Sequence, residues 1–179
     1  MMTLEDREEL IGHLPALRAF AISLTRSHTR ADDAVQETVL KALTHADQFE
    51  KGTNMRAWLF TILRNGYYSA RRRKIRSLGF EDGQATERLA VKPDHDGALQ
   101  FRDFLRVFQT LPEEQREALI LIGATGFSYE KTAEVTGVPI GTVKSRINRA
   151  RARLADDLGL YDGPIEITDV ATLAVLCRT

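Results

Sequence analysis

From Ser77 to Gly97 the chain loses the helical periodicity that runs before and after it. Gly79, Gly83, Pro93, Asp94, Asp96 and Gly97 interrupt this stretch, and no regular element tolerates that composition in its interior. With 179 residues the chain has room for one ordinary domain or two small ones, and the break favours two. Each flank must then bury its own apolar stripe. The predicted organisation is a first domain over residues 1–76, a flexible linker over 77–97, a second domain over 98–158 and a tail over 159–179. No alternating strand pattern precedes the tail, so the fold class is all-α, two small helical domains.

In the first domain, Leu10 to Leu24 reads as a helix. Thr29, with Asp32 three residues later, predicts a capping box that opens a second helix. There Ala31, Ala34, Val35, Val39, Ala42 and Leu43 recur at helical spacing, while Asp32, Asp33, Gln36, Glu37 and Lys41 fall mostly on the other side. His45 to Asn54 reads as a loop. A long helix from about Met55 to Lys74 follows, with Trp58, Leu59, Ile62 and Leu63 as its core stripe.

The second domain opens with an amphipathic stretch, Leu99 to Phe108. Pro112 at a first helical position, followed by Glu113 and Glu114, starts another helix. It runs through Leu121 and stops near Gly123 or Gly126. Ser128 caps a short helix, Tyr129 to Val135; Gly137-Val138-Pro139 is a tight turn, and a basic helix extends from about Gly141 to Leu158.

Charge is the second constraint. The formal net charge is zero, which alone argues against a nucleic-acid partner, but the charge is segregated. Lys51 to Phe80 contains no acid and carries +8; Val135 to Ala155 contains none and carries +5; the rest therefore carries −13. Two basic blocks on otherwise acidic modules suit two phosphate-facing surfaces. The single cysteine, Cys177, excludes an internal disulfide, and no Cys/His cluster has metal-ligand spacing, so no metal or cofactor is expected. No apolar run reaches the length of a membrane span, and the acidic N-terminus lacks a signal core, so the chain reads as cytoplasmic.

Phe127 to Leu154 has the spacing of a helix-turn-helix. Ala133 is the small residue at the crossing, Gly137 accepts the positive φ of the turn, and Val138, Val143 and Ile147 pin the second helix. Lys144, Ser145, Asn148, Arg149 and Arg151 project away from that stripe, as a helix entering a major groove requires. A helical hairpin with a solvated basic face fits the same spacing. In the long helix, Arg56, Arg64, Asn65, Tyr68, Arg71 and Arg72 group together, a mixture suited to phosphates and unpaired bases. A solvated face is the plain alternative there too. Paired carboxylates on the second helix have no partner base, so an enzyme is the least supported class.

Two motifs resemble a known family. Asp32-Asp33-Ala34-Val35-Gln36-Glu37-Thr38 and Met55-Arg56-Ala57-Trp58-Leu59-Phe60-Thr61-Ile62-Leu63-Arg64-Asn65 resemble region 2 of extracytoplasmic-function (ECF) sigma factors. Leu111-Pro112-Glu113-Glu114-Gln115-Arg116-Glu117-Ala118-Leu119, with Gly141-Thr142-Val143-Lys144-Ser145-Arg146 and Arg149-Ala150-Arg151, resembles region 4. The stretch Ile120 to Glu130 looks like the EcfG subgroup, which serves the general stress response.

The resemblance implies a non-enzymatic subunit that brings RNA polymerase core to promoter DNA. Asp32, Asp33, Gln36 and Glu37 would dock on the polymerase. His45 to Asn54 would capture a base flipped from the −10 element, and Asn54, Arg56, Arg64, Asn65, Tyr68, Arg71 and Arg72 would serve that element. Thr142, Lys144, Ser145, Arg146, Asn148 and Arg149 would serve the −35 element, with Lys144, Ser145 and Asn148 nearest the bases and Arg146 and Arg149 on the backbone. It also implies control by an anti-sigma factor of the NepR type. Thr132 stands where the family usually has an aliphatic residue, which loosens packing. The tail matches nothing in the family. A sigma-like decoy and a free-standing helix-turn-helix regulator remain the alternatives.

Overall fold

In a computed structural model the described residues are 2–78 and 97–159. Among them the chain forms seven α-helices and no strand, divided between two units, Met1–Arg88 and Leu89–Thr179. The linker and the tail lie, apart from their end residues, outside the described residues.

The first unit packs three helices on one another: α1 (Leu4–Thr25), α2 (His28–Thr44) and α3 (Met55–Leu78). Helix α1 starts six residues before the predicted Leu10, because Thr3 and Asp6 form a reciprocal cap. Thr3 Oγ1 accepts from the Asp6 amide at 3.2 Å, and Asp6 Oδ2 accepts from the Thr3 amide at 2.8 Å. The cap expected at Thr29 is not formed. Ser27 caps α2 instead, its hydroxyl accepting from the Arg30 amide at 3.4 Å, and Thr29 already lies in the first turn. The chain reverses at Arg26, which holds a left-handed φ of 53° to bring Ser27 into place.

The core of this unit is Leu17, Phe20, Ala21 and Leu24 from α1, Ala31, Thr38 and Ala42 from α2, and Met55, Leu59, Phe60 and Leu63 from α3. The Phe20 and Phe60 rings lie 5.1 Å apart, and each buried ring contributes about 1.5–3 kcal/mol. Two expected core residues of α3, Trp58 and Ile62, are only half-buried, and Leu43 of α2 is 45% exposed. Burial in α3 ends at Leu63; from Arg72 to Ser77 every residue is exposed, although the helix continues past the predicted Lys74.

In the second unit α4 (Gly97–Thr110), α5 (Glu113–Leu119) and α6 (Tyr129–Thr136) surround the long α7 (Ile140–Leu158). Pro112 is the cap of α5 rather than its first residue. Helix α5 runs into a π turn, Ile120–Ala124, and the chain leaves it at Gly126 with a φ of 68°. Arg116 is 2% exposed, and its Nη1 donates to the carbonyls of Leu111 at 3.0 Å and Gln109 at 3.4 Å. The guanidinium thus ties the end of α4 to α5, a structural task that the basic residues of the sequence do not advertise.

Thr132 in α6 is fully buried, and its hydroxyl has no hydrogen-bond partner among the described residues. A buried hydroxyl left unmatched costs about 1–3 kcal/mol. Thr132→Val removes it at nearly constant volume, so unfolding in urea should show a gain of about 1 kcal/mol or more with an unchanged m-value.

Candidate nucleic-acid interfaces

Helices α6 and α7 form the predicted helix-turn-helix. Ser128 caps α6 by accepting from the Lys131 amide at 3.1 Å. Gly137 closes it with a φ of 68°, its amide donating to the carbonyls of Ala133 and Glu134. Val143, Ile147, Ala150 and Leu154 then bury one side of α7. Val138, expected to help pin the helix, is only half-buried. On the opposite side Lys144, Asn148 and Arg149 are exposed, flanked by half-buried Thr142, Ser145 and Arg146. The Ser145 hydroxyl donates to the Thr142 carbonyl at 2.9 Å, leaving its lone pairs to accept. The Glu130 carboxyl is held below its usual range by its own backbone amide, then by the Ser128 hydroxyl and, more weakly, by Lys144. Lys144 of α7 therefore has an acidic neighbour at the start of α6.

Helix α3 carries the other basic face. Asn54 is its cap, with Oδ1 accepting from the Ala57 amide at 2.9 Å, so its amide NH2 and one lone pair of Oδ1 remain for another partner. Arg56 lies 5.8 Å from the Phe60 ring centre and is half-buried, and burial lowers its pKa. The Arg64 guanidinium stacks 4.7 Å over Tyr68. Asn65 is exposed, Arg71 half-buried, and Arg72 exposed with Nη2 donating to Ser69 Oγ at 3.1 Å. None of Arg64, Arg72, Lys144 and Arg149 is buried.

Beside this face a groove of about 360 Å³ opens between α3 and the end of α2 with the 3-10 turn Ala46–Gln48 that follows it. Trp58 forms one wall and packs against Phe49 with ring centres 5.1 Å apart; Lys41, His45, Gln48, Ile62, Asn65, Gly66 and Ser69 line the rest. The sequence pattern places Trp58 in the core, puts His45 and Gln48 in the loop expected to capture a base without singling either out, and gives Ser69 no role. The available signal was Phe49, an aromatic residue in an otherwise polar loop.

The acidic residues of α2 divide. Asp33, Gln36 and Glu37 are exposed at helical spacing, and the stripe continues with Leu40, 65% exposed, and Leu43. Asp32 instead faces α1, where Arg18 Nε meets Oδ1 at 2.7 Å and Nη2 meets Oδ2 at 3.4 Å. The hydrogen bond from Arg18 holds the Asp32 carboxyl below its usual 3.8.

Two sequence families match in order: Sigma-70 region 2 over residues 11–77 and Sigma-70, region 4 over residues 101–154. The chain is 48% identical to the ECF RNA polymerase sigma factor EcfG of Rhodopseudomonas palustris, over 83% of this chain and 82% of that protein. The chain belongs to the ECF sigma factors of the sigma-70 family. This sigma factor is also 30% identical to the RNA polymerase sigma factor CarQ of Myxococcus xanthus, over 82% of this chain and 85% of that one. Among solved structures it resembles the sigma factor RpoE in complex with the anti-sigma factor NepR from Bartonella quintana. That match has 48% identity and a TM-score of 0.78, covering 89% of this chain and all (100%) of that one. No helix among the described residues of the sigma factor is long and apolar enough to cross a membrane.

The pair Arg18–Asp32 has a definite pH signature. Its carboxyl titrates lower folded than unfolded, so its contribution is complete above about pH 4 and is lost as pH falls through the folded value. Asp32→Asn should lower urea stability by a constant amount from about pH 7 to about pH 5, and the gap to wild type should close below about pH 4.

Proposed function

We propose that this sigma factor brings RNA polymerase core to promoters by reading DNA at two places and gripping the enzyme at a third. The observation that carries the reading is that both basic helices bury an apolar stripe and leave the cations outside. In the second domain, Lys144, Ser145 and Asn148 meet base edges of the −35 element, with Thr142, Arg146 and Arg149 on the phosphates. In the first, Asn54, Arg56, Arg64, Asn65, Tyr68, Arg71 and Arg72 hold the opened −10 strand. The groove beside Trp58 offers the aromatic and amide groups that an extruded base needs. Asp33, Gln36 and Glu37 dock on the polymerase; Asp32 supports that helix from behind through Arg18.

The chain works in the cytoplasm and catalyses nothing itself, because phosphodiester chemistry belongs to the polymerase. Its 48% identity to the Bartonella sigma factor solved with NepR supports control by an anti-sigma factor of that type, and its likeness to EcfG supports service in the general stress response.

The test is run-off transcription with core polymerase on genomic promoter fragments; absence of transcript from every fragment would refute the reading. On a responsive promoter, Lys144→Ala should reduce discrimination at one −35 position, where a wrong base pair costs about 1–3 kcal/mol. Arg72→Ala should weaken promoter opening on all sequences alike and make the salt dependence shallower. Equal losses on every sequence from both changes would remove the base-reading role of Lys144.

A further inference from the structure

Lys41 stands where the docking surface and the strand-holding surface meet. Its ammonium lies 2.6 Å from Glu37 Oε1, one helical turn back on α2. The same side chain borders two grooves. One, of about 280 Å³, runs between α2 and α3 and includes Asp33, Glu37 and Arg71. The other is the groove of Trp58, Asn65 and Ser69. Lys41 reaches both because α3 has glycine at position 66: a Cβ there would stand 3.6 Å from Lys41 Nζ, and a larger side chain would fill the space the ammonium uses. Its backbone is fixed at the end of α2, with its carbonyl accepting from the His45 amide at 2.9 Å. The four-carbon stem still has the rotations to swing between the two grooves.

The geometry points to Lys41 as a further phosphate-contacting residue of the promoter-strand surface, held by Glu37 in the free protein and released when Glu37 engages a cation of the docked polymerase. This rests on the reading of α3 given above. With side chains 42% and 49% exposed, the ion pair is a bias rather than a lock, changing an equilibrium by about twofold. Coupling is reciprocal, so a strand phosphate on Lys41 favours docking through Glu37 by the same factor.

The experiment is fluorescence anisotropy of a labelled oligodeoxythymidylate of about twenty nucleotides, titrated with the full chain over a range of salt concentrations. Lys41→Gln should weaken binding about fivefold near 0.1 M salt and reduce the slope of log K against log salt by about 0.7. Lys41→Arg should restore the slope, and Arg7→Gln on the exposed side of α1 should leave it unchanged. Glu37→Gln should tighten binding about twofold at low salt, and that gain should vanish in the double variant with Lys41→Gln, which separates the pair from a general charge effect. An unchanged slope for Lys41→Gln alongside a reduced one for Arg72→Ala would overturn the role of Lys41 and leave the reading of α3 standing. Unchanged slopes for both variants, or no binding by the wild-type chain, would overturn both.

Discussion

Burial of one stripe of α3 against α1 decides where the positive charge of the first domain goes. Met55, Leu59, Phe60 and Leu63 are almost wholly withdrawn from water, and a helix has room for only one such stripe when its remaining positions are charged. Arg64, Asn65 and Arg72 are left on the other side by rotation alone. Helix α7 obeys the same rule: Val143, Ile147, Ala150 and Leu154 go in, and Lys144, Asn148 and Arg149 are turned out. The two basic faces follow from the packing and need no separate structural device.

The exposed cations are held by weak, local partners. Arg64 rests on an aromatic ring, Arg72 on a serine hydroxyl, and Arg153 on Asp157 at 3.8 Å. Arg116 shows the contrast. Buried among backbone carbonyls, it is part of the fold and has no role at a surface. Residue type alone does not separate these two kinds of arginine, but depth does.

Much of this was legible in the sequence, because helical periodicity and turn chemistry are local. The helices, the turn at Gly137 and the Ser128 cap follow from nearest neighbours. The errors came where tertiary partners compete with local ones. Thr29 and Asp32 satisfy the spacing of a capping box, yet Arg18, fourteen positions earlier, takes the carboxylate and Ser27 takes the cap. The same competition pairs Asp32 with Arg18, apart from the exposed Asp33, Gln36 and Glu37. Trp58 looks like core by hydrophobicity, but it is only half-buried: Phe49 packs against it, and it also lines a groove. Thr132 sits where an aliphatic side chain packs better, and its buried hydroxyl is the local price.

Past Arg71 the residues of α3 are exposed as far as Ser77, and Arg72, Arg73, Lys74 and Arg76 gather like charge within two turns. Their position at a carboxyl terminus gives back some of that energy through the helix dipole. A polyanion laid along the rod would neutralise the mutual repulsion and add to that support, so an anionic partner at this edge would stiffen the helix as well as bind it.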